Sequence, residues 1–361
     1  MNGATGKRYA SSTDVARLAG VSQSAVSRTF KPGASVSHAT RSKVLEAAAA
    51  LGYRPSAIPR IMLTERSNLV ALVTGGMDNP FYATVLERFT VRLQETGHQV
   101  LLVHADSGHM LDGAIPRLAS YRVDAIVSAL AILSPQAAAE LSRLRIPVIS
   151  FNTPIHNEWI SAICCDNEAA GRAVADLFVA RGARRCGFVA GPADSPASAE
   201  RRQGFCARLA ERGLPSPAQA SGGFRYEGGF EAGLALLDAQ HPPDAIFCAN
   251  DLMALGVMDA ARIRCGLRVP EDLMVAGFDG IPAADWAGYA LTTCVQDAAV
   301  MIDQAVAILQ RGLAADRAEG QEVIIVPAHL IERASTARAT PALAGPGHAG
   351  TARPRPVRRR A

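Results

Sequence analysis

Between residues 67 and 337 short apolar runs alternate with helix-length segments. The runs read LVALVT (69–74), HQVLLVHA (98–105), VDAIVSAL (123–130), IPVISFN (146–152), SAICCD (161–166), CGFVAG (186–191), DAIFCAN (244–250) and DLMVAGF (272–278). Each is rich in Val, Ile or Leu with little polar alternation, as strands covered on both faces require. Between them, Phe81, Val85, Phe89 and Leu93 recur at four-residue steps, which predicts a helix with one buried stripe. Strand and helix in such alternation predict doubly wound α/β architecture with parallel sheets, and the length predicts two sheets rather than one. Open parallel sheets bind ligands beyond the carboxyl ends of their strands, and here those ends are polar and Gly-rich, as in CAND (248–251) and GFDG (277–280).

The first 54 residues follow a different pattern, helical with no strand signal. Ser11 with Asp14 forms a capping-box arrangement ahead of DVARLAG, which Gly20 stops. Ser22 is placed to cap a second helix, QSAVSRTF, broken by Lys31, Pro32 and Gly33. Ser37 starts a third that ends at Gly52. Val15, Leu18, Val21, Val26, Val44 and Leu51 are the expected small core. Two short helices joined by a Gly-containing turn, the second polar and basic, are the helix-turn-helix pattern. The second helix is the one expected in the major groove of DNA. On it Gln23, Ser24 and Arg28 face away from Val26; Gln pairs bidentately with adenine and Arg with guanine. Ser22 and Ser27 are expected on phosphates, which position the protein without specifying sequence.

Charge sharpens this division. The chain of 361 residues carries a formal +4, but residues 1–66 hold ten Lys/Arg against three Asp/Glu, or +7. Residues 67–337 hold 21 against 30, or −9, and residues 338–361 hold six Arg and no acid, or +6. A basic head on an acidic body points to a polyanionic partner for the head. The tail, rich in Gly, Pro and Ala without periodicity, is expected to be disordered. Seven cysteines with no CxxC pair fit neither a disulfide framework nor a zinc site, and no metal or cofactor is expected. Met1 to Ala10 lacks the apolar core of a secretory leader, and no run reaches the about 18 apolar residues of a membrane span, so a cytoplasmic protein without membrane association is expected.

Taken together, DVARLAGVSQSAVSR, VSHATRSKVLEAAAALGYRP, NPFY (79–82), CDN (165–167), GFVAGP, AIFCANDLMALG, LRVPEDLMVAGFDGIP and LTTCVQD closely resemble the lactose-repressor (LacI/GalR) family of transcription regulators over roughly residues 11–337. The resemblance implies an all-α helix-turn-helix head (1–54), a hinge (55–66) and a body (67–337) like the two-lobed type I periplasmic binding proteins, with the basic tail (338–361) beyond it. It matches Gln23, Ser24 and Arg28 to base-reading positions and Met62 to an apolar wedge in the minor groove at the dyad. It matches Phe81, Tyr82, Arg201, Phe224, Asn250, Asp279 and Gln296 to positions that bind a small effector between the lobes. Aromatic faces stacking on a ring and polar groups fixing hydroxyls or a carboxylate suit a hydroxylated ligand such as a sugar or sugar acid, and the matched positions do not decide between a neutral sugar, a sugar acid and a nucleobase. Phe81 and Phe224 also read as core, and Asn250 and Asp279 as helix caps. A homodimer on a palindromic double-stranded operator is expected, because a helix-turn-helix dimer reads two symmetric half-sites. The tail shows no heptads for a tetramer.

Two other classes remain to be weighed. A solute receptor for sugar uptake would account for the body but not for the head. An enzyme would need a motif, and GxSxG, HExxH and Walker A are absent from the chain. Pro59 departs from the family pattern inside the expected hinge helix and pushes Ile58 from the α region. The expected consequence is a hinge helix that is shorter or forms less readily. Pro59→Ala should therefore raise operator affinity in a titration by fluorescence anisotropy; no gain, or a loss, counts against that reading.

Overall fold

The computed structural model describes residues 9–31, 33–55, 61, 66–75, 78–105, 112–129, 135–152, 160–314 and 322–338. Met62, Pro59 and the tail beyond residue 338 lie outside the described residues. The chain divides into two compact units, Met1–Ser67 and Asn68–Ala361.

The first unit holds α1 (Ser12–Ala19), α2 (Gln23–Thr29) and α3 (His38–Leu51). Their ends are set locally. Ser11 and Asp14 form the reciprocal capping box on α1, and Gly20 closes it at φ 65°, a left-handed conformation that glycine adopts without a Cβ penalty. Ser22 caps α2 by accepting from the Ala25 N–H, and Ser37 caps α3 by accepting from Thr40. The core corrects one expectation. Val15, Val26 and Val44 are fully buried with Ala16, Ala47 and Ala48, and Phe30 and Tyr53 pack edge-to-face beside them at 5.7 Å. Leu18 and Leu51, expected inside, are exposed. Alanines on α1 and α3 let the helices approach closely, so three helices this short have room for one valine layer and no leucines.

The second unit contains two six-stranded sheets. The first lobe runs β1 (Leu69–Thr74), α4 (Pro80–Glu95), β2 (Gln99–His104), α5 (Ile115–Ser120), β3 (Ala125–Ser128), α6 (Pro135–Arg143), β4 (Val148–Phe151) and β5 (Ile160–Cys165). The chain then builds the second lobe from α7 (Asn167–Ala180), β6 (Cys186–Ala190), α8 (Pro196–Glu211), β7 (Ala218–Ser221), α9 (Tyr226–Leu237), β8 (Ala245–Cys248), α10 (Asp251–Asp259), β9 (Met274–Asp279) and β10 (Thr292–Gln296). It returns through α11 (Ala298–Ala314) to β11 (Val323–Val326) and crosses again to β12 (Ala328–Ile331).

The strand orders are β11-β5-β4-β3-β1-β2 and β12-β10-β9-β8-β6-β7. All pairs are parallel except β12, which runs antiparallel to β10. That one strand departs from the expectation of parallel sheets, because the final crossing from β11 to β12 spans Pro327 alone and leaves no room for a crossover helix. Three crossings thus link the lobes, and two of them are tied together where Asp166 N–H donates to Val326 O at 2.9 Å. Strand order reverses between β1 and β3 in one lobe and between β6 and β8 in the other, so each lobe has a crevice at its strand ends. The cores are conventional. Phe81, Val85, Phe89 and Leu93 are buried along α4, and Phe188, Phe205 and Phe247 stack together in the second lobe. No helix among the described residues is long and apolar enough to cross a membrane.

Helices α7 and α8 cross in near backbone contact. A Cβ on Gly204 would lie 2.0 Å from Glu168 O, and one on Gly171 would lie 2.2 Å from Arg201 O. Since backbone cannot yield as a side-chain tip can, Gly204→Ala should cost about 3 kcal/mol or more in urea unfolding. A loss below about 1 kcal/mol would mean that the crossing relaxes freely.

Candidate functional site

Helix α2 buries Val26 and Thr29 and exposes Ser22, Gln23, Ser24, Ser27 and Arg28. Gln23 Nε2 donates to Ser12 Oγ at 2.8 Å, and Arg28 Nε donates to Ser24 O at 3.4 Å. Ser22 Oγ accepts the Ala25 N–H, which leaves its own proton to donate, and it lies 2.9 Å from Ser24 Oγ. These side chains form one exposed polar face whose bonds are to surface groups and exchange at little cost. Among the described residues Arg28, Lys31 and Lys43 have no carboxylate partner. Several arginines of the body are instead ion-paired. Arg208 and Arg212 pair with Asp176, Arg172 with Glu211, Arg181 with Glu332 and Arg311 with Glu322.

In the body, the sequence-predicted polar residues gather on the Asp279 carboxylate at the end of β9. Asp279 is 4% exposed, and burial pushes its carboxyl pKa up, offset by Arg201, Asn79 and Gln296. Gln296 Nε2 donates to Asp279 Oδ1 at 2.7 Å, and Arg201 Nη1 stands 3.8 Å from the same oxygen. Asn79 Nδ2 donates to Asp279 Oδ2 at 2.8 Å from the other lobe. The Asp279 backbone sits at φ 113°, a conformation an L residue holds only where its surroundings impose it. Gly280 follows at φ 75°, where a Cβ would lie 2.8 Å from Val295.

What imposes that turn is Asp251, the first residue of α10. Its Oδ2 accepts the N–H groups of Gly280 at 2.8 Å and Ile281 at 2.9 Å, and its Oδ1 accepts from Thr293 Oγ1 at 2.6 Å. Burial and the neighbouring Asp279 push the Asp251 carboxyl up to about 8, against the pull of those three donors.

Arg201, 2% exposed on α8, is tied on every side. Its Nε donates to Asn167 Oδ1 at 2.8 Å and its Nη1 to Ala249 O at 2.6 Å, and its guanidinium lies 3.4 Å from the Phe278 ring centroid. Phe81 is buried core, edge-on to Tyr82 at 5.5 Å, while Tyr82 is half-buried. Burial and the Asp279 charge push the Tyr82 hydroxyl up to about 12, with Arg201 opposing. Asn250 is fully buried. It caps α10 through the Met253 N–H, and its Nδ2 donates to Phe224 O at 3.2 Å. Both ends of its amide are thus committed to the protein frame. Phe224 stands half-buried at φ 62°, its ring against Gly191, where a Cβ would lie 2.4 Å away.

Asn79, Asp251 and Asn152 were not singled out from the sequence. Asn79 lies inside the NPFY motif and Asp251 inside CAND, so both were visible as polar residues at strand ends. Asn152 closes β4 at φ 63°, and its Oδ1 is buried without a hydrogen-bond partner, as is Gln296 Oε1. Unpaired buried acceptors are suited to ligand donors such as hydroxyls. Cys164, Cys165, Cys186, Cys248 and Cys294 are buried apolar packing, and burial raises the thiol pKa of each.

Residues 13–56 match the family model described as bacterial regulatory proteins, lacI family, and residues 175–336 match the periplasmic binding protein-like domain. The HTH-type transcriptional regulator CelR of Thermobifida fusca is 31% identical over 330 residues, covering 89% of this chain and 96% of CelR. The HTH-type transcriptional repressor CytR of Escherichia coli K12 is 31% identical over 337 residues, covering 91% of this chain and 96% of CytR. Among solved structures, the lac repressor dimer bound to operator and the anti-inducer ONPF aligns with TM-score 0.81 at 26% identity, over 91% of this chain and 99% of that one. The CelR–cellobiose complex aligns with TM-score 0.68 at 30% identity, over 90% and 99%.

Because Arg201 carries the buried charge opposite Asp279, Arg201→Ala should destabilise the body by about 3–5 kcal/mol in urea unfolding. Arg201→Lys should recover less than half of that, since an ammonium cannot serve Asn167 and Ala249 while stacking on Phe278. Full recovery by lysine would show that charge alone matters.

Proposed function

The chain belongs to the lacI family of bacterial regulatory proteins and is a DNA-binding regulator of transcription, not an enzyme; from that premise we propose that it is a cytoplasmic repressor, a homodimer on a palindromic operator, released or recruited by a carbohydrate effector held between the lobes. The observation that carries the DNA reading is the exposed polar face of α2 over a buried Val26, with Gln23, Ser24 and Arg28 as base readers and Ser22 and Ser27 on phosphates. Met62 is proposed as the minor-groove wedge on its match to the family position alone. The dimer is supported by the likeness to the lac repressor dimer and by exposed apolar side chains on the body, among them Leu102, Ile263 and Trp286.

The effector reading rests on Tyr82, Arg201, Asp279 and Gln296; Asn152, at the end of β4, is added only for its unpaired buried oxygen. These residues offer one carboxylate, one guanidinium, two unpaired carbonyl acceptors and one aromatic hydroxyl. That set matches a ligand rich in hydroxyl donors. Phe224 supplies an apolar face, while Phe81 and Asn250 act through Tyr82 and Phe224 as their supports. A relative solved with cellobiose supports the carbohydrate class. The effector acts only if it binds the two operator-binding states with different affinity.

Two measurements test the reading. Arg28→Ala should lose ~1–3 kcal/mol at the cognate operator and relax one base position in a panel of operator variants. A loss equal across all sequences would reassign Arg28 to phosphate. Removing residues 1–66 should abolish DNA binding while leaving any thermal stabilisation by sugars or sugar acids intact.

A further inference from the structure

We propose that Asn79 is a latch between the lobes: its side-chain amide donates across the cleft to Asp279, and this bond sets how tightly the lobes close. Asn79 Nδ2 lies 2.8 Å from Asp279 Oδ2. The two residues are 200 positions apart and belong to different sheets, one following β1 and the other ending β9.

The direction of the bond is settled by the rest of the amide. Asn79 is the N-cap of α4, and its Oδ1 accepts the Phe81 N–H at 3.0 Å. The oxygen is therefore turned to the helix and the NH2 group to the carboxylate. The acceptor is equally fixed. Asp279 is held at φ 113° by Gly280, by the Asp251 bonds to Gly280 and Ile281, and by Gln296 on its other oxygen. Neither end can follow the other by rotating a free side chain. A hydrogen bond between two anchored groups weakens steeply with distance and angle. Opening the lobes by little more than an ångström would thus break it, and closing them would restore it.

The latch meets the proposed effector site at one atom. Among the described residues Asn79 is the hydrogen-bond donor to Asp279 Oδ2. A hydroxyl that donates to this oxygen must share it with Asn79 or displace the amide, so effector and latch compete for, or jointly occupy, a single acceptor. This regulatory consequence rests on the cleft being the effector site, whereas the latch does not.

Hydrogen–deuterium exchange of the full-length protein without ligand tests it, read by mass spectrometry on peptides covering 79–84 and 279–283. Asn79→Asp keeps the helix cap, since Asp caps as well as Asn, but sets carboxylate against carboxylate. Exchange in 279–283 should rise about tenfold or more, the factor expected for a lost bond to a charged group, with α4 still protected. Asn79→Ser also keeps the cap, withdraws the donor and should raise the same exchange. Combining Asn79→Asp with Asp279→Asn restores a donor–acceptor pair in the reverse direction and should return exchange toward the wild-type rate. Unchanged exchange at 279–283 in both single variants overturns the latch, as does a swap no better protected than Asn79→Asp. Failure of every carbohydrate to stabilise the protein would instead overturn the effector reading, on which these exchange rates do not depend.

Discussion

A carboxylate that is 4% exposed must be compensated on every side or it will not stay ionised. Asp279 imposes that requirement on the body. Its oxygens draw Gln296 from the end of β10, Arg201 from α8 and Asn79 from the opposite lobe. Its place at a strand end demands an unfavourable backbone angle, which requires glycine at 280 and a second buried carboxylate, Asp251, to hold the turn. Arg201 then requires Asn167, Ala249 O and Phe278 to satisfy its remaining faces. A chain of obligations thus runs from one charge through both lobes.

This arrangement merges two roles that are often assigned separately. Residues of such a cluster can contact a ligand and also hold the frame that makes the cleft. Arg201 does the second through three internal contacts, so a loss of ligand response after its replacement would not by itself identify a contact. Asn250 is further along that scale, with both ends of its amide on the protein. Gln296 and Asn152 lie at the other end, since each retains an unpaired buried oxygen. Unpaired acceptors cost stability, and a ligand that supplies donors recovers it.

What could be read from the sequence follows the range of the interactions involved. Capping boxes, glycine stops and the four-residue stripe of Phe81, Val85, Phe89 and Leu93 depend on neighbours a few residues away, and they were legible. Leu18 and Leu51 were misplaced because hydrophobicity says nothing of how much room three short helices enclose. The antiparallel β12 turned on a one-residue connection whose strands carry weak alternation. Family likeness brought Arg201, Asp279 and Gln296 to notice, and their meeting is visible only once β9, β10 and α8 are packed. The partners of Asn79 and Asp251 were hidden for the same reason: pairings across 200 and 29 residues leave no local pattern.

The charge division acquires a physical sense from the ion pairs. A net charge of −9 on the body conceals bases already engaged by its own acids, as Asp176 engages Arg208 and Arg212. The head's +7 is different in kind, because Arg28, Lys31 and Lys43 meet no carboxylate among the described residues. Neutralising phosphates with unengaged cations releases counterions without first breaking an internal pair, whereas recruiting the body's paired arginines would cost the pairs they already make. These unengaged cations and the +7 of residues 1–66 lie on the unit that carries the recognition helix. An acidic body then adds specificity by exclusion, since any docking that brings it against the duplex sets like charge on like.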